Sequence, residues 1–542
     1  MQKISLFAFL FWACAQSLFA QKDLPTESVN IEKDFDARLL ESNKLNVPPT
    51  LPPLDTTTKR QDYLVPPKPL TINYDAPSLR PIGMKSSKKE QDYNGYVKAG
   101  GGVPSSLYGE LGYAFHSGEK FDGKAWFRHH SANRKSYENQ RFSNNDFLVN
   151  GNIYLDNNLA VEARGGYTYD RVHFYGYDHD SLSYEAEQVR QEFKTFELGG
   201  RLYNSERTDM DLNFSAAPKF YIFSDYYSNK ETGFDLNLSA TKWFADKHPL
   251  RVGIRTDFTS YNDTAKQKLN NIYLQPSFTF HTDFLKFKIG GTFASNRDEF
   301  QIFPDAELTL RLWGDGLQVF AGAGGDLRKN TYRSMAEYNP FLQIRGSELM
   351  NTSWRNYYGG LKGNLGWLEY QGQVSYGKAS DLALFQTRFD TTSVVTGLTR
   401  FGVLYDTANI FGIQGTLKLK PIKSLLVSGT ISTNVYEMFQ EDDHWGLPAL
   451  EVNASAIYTL LDGKATLKGE LYLANAIPYR DMEAIARSSD ALYDLSFGGS
   501  YRFTDNIGIF LDINNVLNNQ RERWFNYPMY GINILGGITA RF

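Results

Sequence analysis

Cysteine is nearly absent from this chain: among 542 residues only Cys14 is one. It lies in an N-terminal apolar run, where Phe11-Trp12-Ala13 before it makes a poor lipoprotein signal. With that run removed, the chain has no disulfide and no thiolate metal ligand. Long apolar runs are also missing. Beyond residue 20 no stretch offers the eighteen or so consecutive apolar residues of a spanning helix, so a helical membrane protein is excluded. Nor is there an excess of positive charge. Without Lys3, the 57 Lys and Arg fall to 56 against 61 Asp and Glu, a net charge of about −5, which argues against a nucleic-acid partner. What is abundant is aromatic: 38 Phe, 34 Tyr and 8 Trp, with 45 Gly. Aromatics and glycine without an apolar run fit a membrane barrel, whose strands are apolar on one face only. A soluble all-β protein has the same composition, so the pattern along the chain must decide.

Residues 1–20 read as a secretory signal. Lys3 is the basic start, Ile4 to Cys14 the apolar run, and Phe19-Ala20 before Gln21 the cleavage point, with Leu18 a poor residue three places ahead of the cut. Residues 21–92 form a second region. Half of the chain's 20 prolines fall there, from Pro25 to Pro81. Proline fixes φ and donates no hydrogen bond, so the expectation is a disordered, proline-rich periplasmic arm rather than a packed sheet. Only Glu27–Leu40 is free of proline with some apolar alternation. Val29, Ile31 and Phe35 make it the candidate docking segment for a periplasmic protein.

From Tyr93 to Phe542 the chain alternates apolar and polar residues in segments of about ten. Phe147, Val149, Gly151, Ile153 and Leu155 share one face, and Leu148, Asn150, Asn152 and Tyr154 the other. Ala465, Leu467, Gly469, Leu471 and Leu473 oppose Lys464, Thr466, Lys468, Glu470 and Tyr472. Ile413, Gly415, Leu417 and Leu419 oppose Gln414, Thr416, Lys418 and Lys420. Lysines facing a packed core are very costly, but in a wet lumen they are expected. A soluble sandwich would put them on its solvent face.

The connections favour the barrel. Short turns such as Asp156-Asn157-Asn158, Ala245-Asp246-Lys247 and Thr504-Asp505-Asn506 alternate with longer polar segments. The long ones include Ser131–Asn145, Tyr177–Gln191, Ser224–Lys230, Tyr261–Leu269, Arg328–Arg355, Ala379–Asn409, Glu437–Trp445, Asn475–Ala491 and Asn518–Tyr530. Short periplasmic turns and long outer loops are how such barrels are strung. The alternating stretch Val394–Tyr405 breaks that phase unless it is a hairpin inside an outer loop. The expectation is an all-β fold: a transmembrane antiparallel β-barrel of about 22 strands over residues 93–542, in the cell outer membrane and in contact with its lipids.

The last strand, Asn533–Phe542, puts Ile534, Gly536, Ile538, Ala540 and Phe542 on one face. Asp512–Leu517 (DINNVL), the Tyr527-Pro528 to Gly531 approach and the closing strand ending in Phe together resemble the end of a TonB-dependent receptor. That resemblance implies that Phe542 is the signal read by the barrel-assembly machinery. It also implies a transport or passage barrel and a TonB-like protein among the arm's candidate partners. Family members carry a globular plug ahead of the barrel, and residues 21–92 have neither its length nor its hydrophobic patterning. The arm with Tyr93–Gly102 resembles plug-less receptor-like barrels of Bacteroidota. The alternative is a non-transporting scaffold that anchors a periplasmic or surface complex through its arm.

No enzyme, cofactor or metal constellation emerges. His129 and His130 of Arg128–Ser131 are strand neighbours and point to opposite faces. Glu441-Asp442-Asp443 with His444 is either a cation site or a solvated loop tip. Ala99–Gly102 is followed by no helix and reads as backbone on which aromatic rings pack. Tyr226-Tyr227 and Tyr357-Tyr358 read as interface girdle near strand ends or as a sugar-binding rim.

Overall fold

The computed structural model describes residues 93–542 apart from 264, 298, 345, 390–394, 482 and 484. The signal segment 1–20, the arm 21–92 and its docking candidates Val29, Ile31 and Phe35 lie outside the described residues. Period-two alternation is realised as one antiparallel sheet. Its wall strands are β1 (Gly95–Val103), β2 (Ser106–Ser117), β3 (Phe121–Asn133), β4 (Arg141–Tyr154), β5 (Leu159–His173), β6 (Arg190–Asn204), β7 (Leu212–Asp225), β8 (Lys230–Phe244), β9 (His248–Asn262), β10 (Lys266–His281) and β11 (Leu285–Asn296). β12 (Glu299–Pro304 and Ala306–Trp313) is one strand interrupted at Asp305, since both parts pair in a single register with β11. Then come β13 (Leu317–Arg328), β14 (Thr352–Asn364), β15 (Leu368–Phe389), β16 (Thr399–Ile422), β17 (Leu425–Met438), β18 (Leu450–Leu460), β19 (Ala465–Ala474), β20 (Leu492–Arg502), β21 (Ile507–Asn514) and β22 (Asn533–Arg541).

The sheet closes on itself. β1 pairs with β22 from Tyr96↔Arg541 to Val103↔Ile534, which leaves 22 strands and no open edge. Glycine makes the seam possible. A Cβ at Gly100 would stand 2.6 Å from the Gly536 carbonyl oxygen and 2.7 Å from the Phe510 ring. Ala99–Gly102 is thus backbone under a ring and against the closing strand, as its glycines had implied.

Large apolar residues point outward and stay exposed: Leu111, Phe127, Phe147, Tyr167, Phe196, Leu198, Ile254, Leu274, Ile289, Leu417 and Leu467 among them. In water such a continuous belt would drive aggregation, so the barrel spans a membrane, and a closed barrel of this kind is of the outer-membrane type. No described helix is long and apolar enough to cross one. Inward positions carry ion pairs that remain open to water. Lys418–Glu369 (3.2 Å) and Lys468–Glu470 (2.6 Å) are 40–49% exposed, as a wet lumen requires.

Both chain ends of the barrel and the short turns lie at one rim, the long connections at the other. There the sequence-based boundaries shift. Ser224–Lys230 shrinks to a turn between Asp225 and Lys230, Tyr261–Leu269 to one between Asn262 and Lys266, and strand occupies most of Ser131–Asn145. Beyond the belt both faces of a strand are wet, so its polar residues look like a loop. β15 and β16 run for 22 and 24 residues. Past a register shift between Ala379 and Leu382 they continue as a hairpin, Leu382↔Asp406 to Phe389↔Thr399, so the alternating stretch that ends at Tyr405 extends the wall and adds no strand to it.

Candidate functional site

The outer mouth is filled by the connections themselves. Residues 174–189, 329–351, the β15–β16 hairpin and 515–532 converge on one apolar core. Phe174, Tyr177, Tyr332, Met335, Phe341, Leu342, Leu398, Phe401, Trp524 and Tyr527 are buried in it together with the wall residues Phe193, Phe223 and Tyr261. The rings of Tyr527 and Phe341 stack at 3.6 Å between centroids, inclined by 15°. The Tyr527 hydroxyl donates to the Thr399 carbonyl (2.5 Å), and the Thr399 amide donates to the Gly176 carbonyl (2.7 Å). The Phe401 amide donates to Phe341 and the Gln343 amide to Phe401, which adds a strand-like bridge between segments far apart in sequence. Loops that order one another in this way satisfy their backbone groups without water, which a loop buried alone does not achieve.

One loop is also pinned to the lumen wall. α1 (Tyr332–Tyr338) begins with Thr331 as its N-cap in a capping box with Ser334. The Tyr332 amide donates to Glu231 (2.7 Å) and its hydroxyl to Asp225 (2.6 Å). Tyr221 donates to the other Glu231 oxygen (2.9 Å). Glu231 is fully buried, so these donors replace the water it lost. Arg333 reaches Glu197 at 3.0 Å and Lys329 reaches Asp235 at 2.8 Å. The wall presents acids and the loop brings the cations. Burial, helped by Asp225, holds the Tyr332 hydroxyl well above its ordinary pKa, and burial likewise raises Tyr527, so both stay neutral donors. Arg523 is clamped over the Trp524 ring (4.4 Å) and donates to the Tyr338 hydroxyl and the Gly446 carbonyl. Burial raises the carboxyl of nearby Glu522.

The other singled-out residues take structural roles. His129 bonds Asn145 and Ser131, while His130 sits edge-on between Tyr108 and Phe142, so the pair does face opposite ways. Glu441 accepts from Trp445 and Arg480, and Asp443 is held by His444, whose burial lowers its pKa. Among the described residues no group of three or more His, Cys, Asp or Glu is placed to hold a metal ion. Tyr226 and Tyr227 sit at the outer end of β7, but Tyr357 lies mid-strand on the outer face. Tyr358 points into the lumen, where its hydroxyl donates to Glu307 (3.1 Å), so it belongs to neither girdle nor rim. Phe542 faces outward and stacks on Tyr113 at 6.3 Å. The mouth core itself carried no sequence signal, because its residues come from four separate polar segments.

No protein-family model matches the sequence, and neither does any curated protein. The barrel is similar in structure to the FrpB iron transporter of Neisseria meningitidis (F3-3 variant; TM-score 0.65, 10% identity, 84% of this chain and 82% of that chain). It is similar to the ferripyoverdine receptor of the outer membrane of Pseudomonas aeruginosa (TM-score 0.60, 12% identity, 84% and 72%). A mutant of the ferric enterobactin receptor PfeA from the same organism gives a TM-score of 0.61 at 10% identity over 83% and 80%. At these identities the likeness is one of fold. It bears out the receptor-like barrel expected from the C-terminal motif.

Proposed function

We propose that this chain is an outer-membrane passage barrel whose mouth is closed by its own outer loops in place of a globular plug. The observation that carries this is the interlocked core of Phe341, Phe401, Trp524 and Tyr527 above a lumen whose ion pairs remain open to water. A barrel of about 22 strands is wide enough to leak unless filled. Here the filling is made of loops, which can part without unfolding the wall. The receptor-like fold supports a transport role, and no substrate is assigned. A second reading has an observation of its own. Because α1 and Lys329 before it are tied to Glu197, Glu231 and Asp235 on the wall, the mouth fits equally a permanently blocked scaffold that holds a periplasmic complex through the arm.

Conductance separates the two. In planar bilayers the purified protein should pass little current. Replacing Phe341 and Tyr527 together by Ala removes the stacked centre of the core at a cost of about 3–5 kcal/mol per buried ring. If the loops are a gate, that variant should show large, long-lived openings while still folded. A folded variant that stays silent would refute passage through this mouth and leave the scaffold.

A further inference from the structure

The outer wall carries a basic cluster that the mouth does not use. On β4, β5 and β6 the outward rows can be followed from one rim to the other. Leu155 and Ile153, then Phe147, Tyr167 and Phe196, lie on the exposed apolar face. The eight-residue step from Leu155 to Phe147 rises on the order of 20 Å along the membrane normal, at ~3.4 Å per residue and a tilt of ~40°. That is most of an apolar belt ~25 Å tall. The next outward rows toward the mouth are therefore at headgroup level.

Those rows pair Asn145 with Tyr169 and Tyr169 with Lys194, then Ser143 with Arg171 and Arg171 with Glu192. His173 then pairs with Arg190, and Arg141 donates to His173 (3.2 Å). Four cations thus gather here: Arg171, Arg190 and Lys194 surround one acid, and Arg141 stands beside them against His173. Glu192 is only 7% exposed and acts as their hub. It accepts from the Tyr169 hydroxyl (2.7 Å) and lies within 3.1–3.4 Å of Lys194, Arg171 and Arg190. Glu187, from the loop above, meets Arg190 at 2.7 Å. Two positive charges remain unneutralised. Arg171 and Lys194 are 38% and 48% exposed. Tyr169 and Tyr226 lie under the cations, with Arg190 4.7 Å from the Tyr226 ring. The outward rows go on to Lys230 and Lys268 on β8 and β10, opposite Ser224, Asn262 and Ser260 rather than acids.

We infer that this face binds the phosphorylated headgroup of an outer-leaflet glycolipid. Guanidinium forks held in fixed positions by a buried carboxylate suit phosphate oxygens, and tyrosines at this height suit the interface. The position selects a lipid over a soluble anion. The cations point away from the lumen and stand directly above the belt on which acyl chains lie, so a ligand that fills both must be amphiphilic and anionic.

The test is native mass spectrometry of the full chain in micelles doped with diphosphoryl lipid A, with phosphatidylethanolamine and inorganic phosphate as comparison arms. The wild type should retain lipid A through delipidation. Arg171→Gln with Lys194→Gln should lower retention by about tenfold, equivalent to ~1.4 kcal/mol. Arg207→Gln, in a turn at the opposite rim, should leave it unchanged. Should the double variant fail to fold on a gel-shift control, Lys194→Gln alone, at a half-exposed site, should still weaken retention. Equal retention by folded variant and wild type overturns the inference. So does equal retention of phosphatidylethanolamine, and so does full displacement by inorganic phosphate, which would make the site one for free anions.

Discussion

At the scale of single residues, the terminal Phe542 makes few contacts in the folded state, so the role proposed for it is in assembly. Its ring is 55% exposed and stacks on Tyr113, and its amide and carbonyl bond to Gly95 (2.9 and 2.8 Å). A ring pair of that kind contributes about 1 kcal/mol, small beside a sheet closed through 22 strands. Deleting Phe542 should leave the heat-modifiable gel shift of the purified barrel near its original temperature, yet lower the amount found in outer membranes severalfold and raise periplasmic degradation products. Membrane levels equal to wild type would show that the terminal aromatic is not read as an assembly signal. Lys98 teaches a related lesson. It is an inward charge of the kind the alternation implied, and it lies 3.9 Å from the Phe510 ring centre and 3.6 Å from Asp512. That it faces the lumen was legible from its parity, but its partner on β21, across the closing strand, was not.

At the scale of elements, strands inside the membrane were legible and strands beyond it were not. Within the belt the solvents on the two faces differ, so residue type records the face, and the turns at 156–158, 245–247 and 504–506 fall where the alternation stops. Above the belt water bathes both faces, so β3, β4 and β7 to β10 continue through segments that read as loops. The arm is the element whose role the sequence proposes alone. At full stretch and the polyproline rise of ~3.1 Å per residue, its 72 residues (21–92) would reach on the order of 200 Å, far beyond a ~30 Å bilayer core. If Val29, Ile31 and Phe35 dock as an added strand on a periplasmic protein, deleting Glu27–Leu40 should leave barrel levels unchanged and remove specific co-purifying proteins. Recovery of the same proteins at the same yield would make the arm a spacer.

At the scale of the whole molecule, closure governs behaviour, because a sheet without edges unfolds only by breaking a seam. Unheated protein should therefore migrate differently from boiled protein on a mild detergent gel, and its circular dichroism should be that of β-sheet. A predominantly helical spectrum is incompatible with the fold. By itself the sequence determined the class, the strand number and the faces of the membrane-level strands, because these follow from local rules of parity and solvent contrast. Only the tertiary structure decided that Phe341 meets Tyr527, that Glu231 is buried beneath α1, and that Arg171, Arg190 and Lys194 gather on Glu192. Each of these joins residues from separate strands or loops, and their meeting depends on register and curvature, which no local pattern encodes.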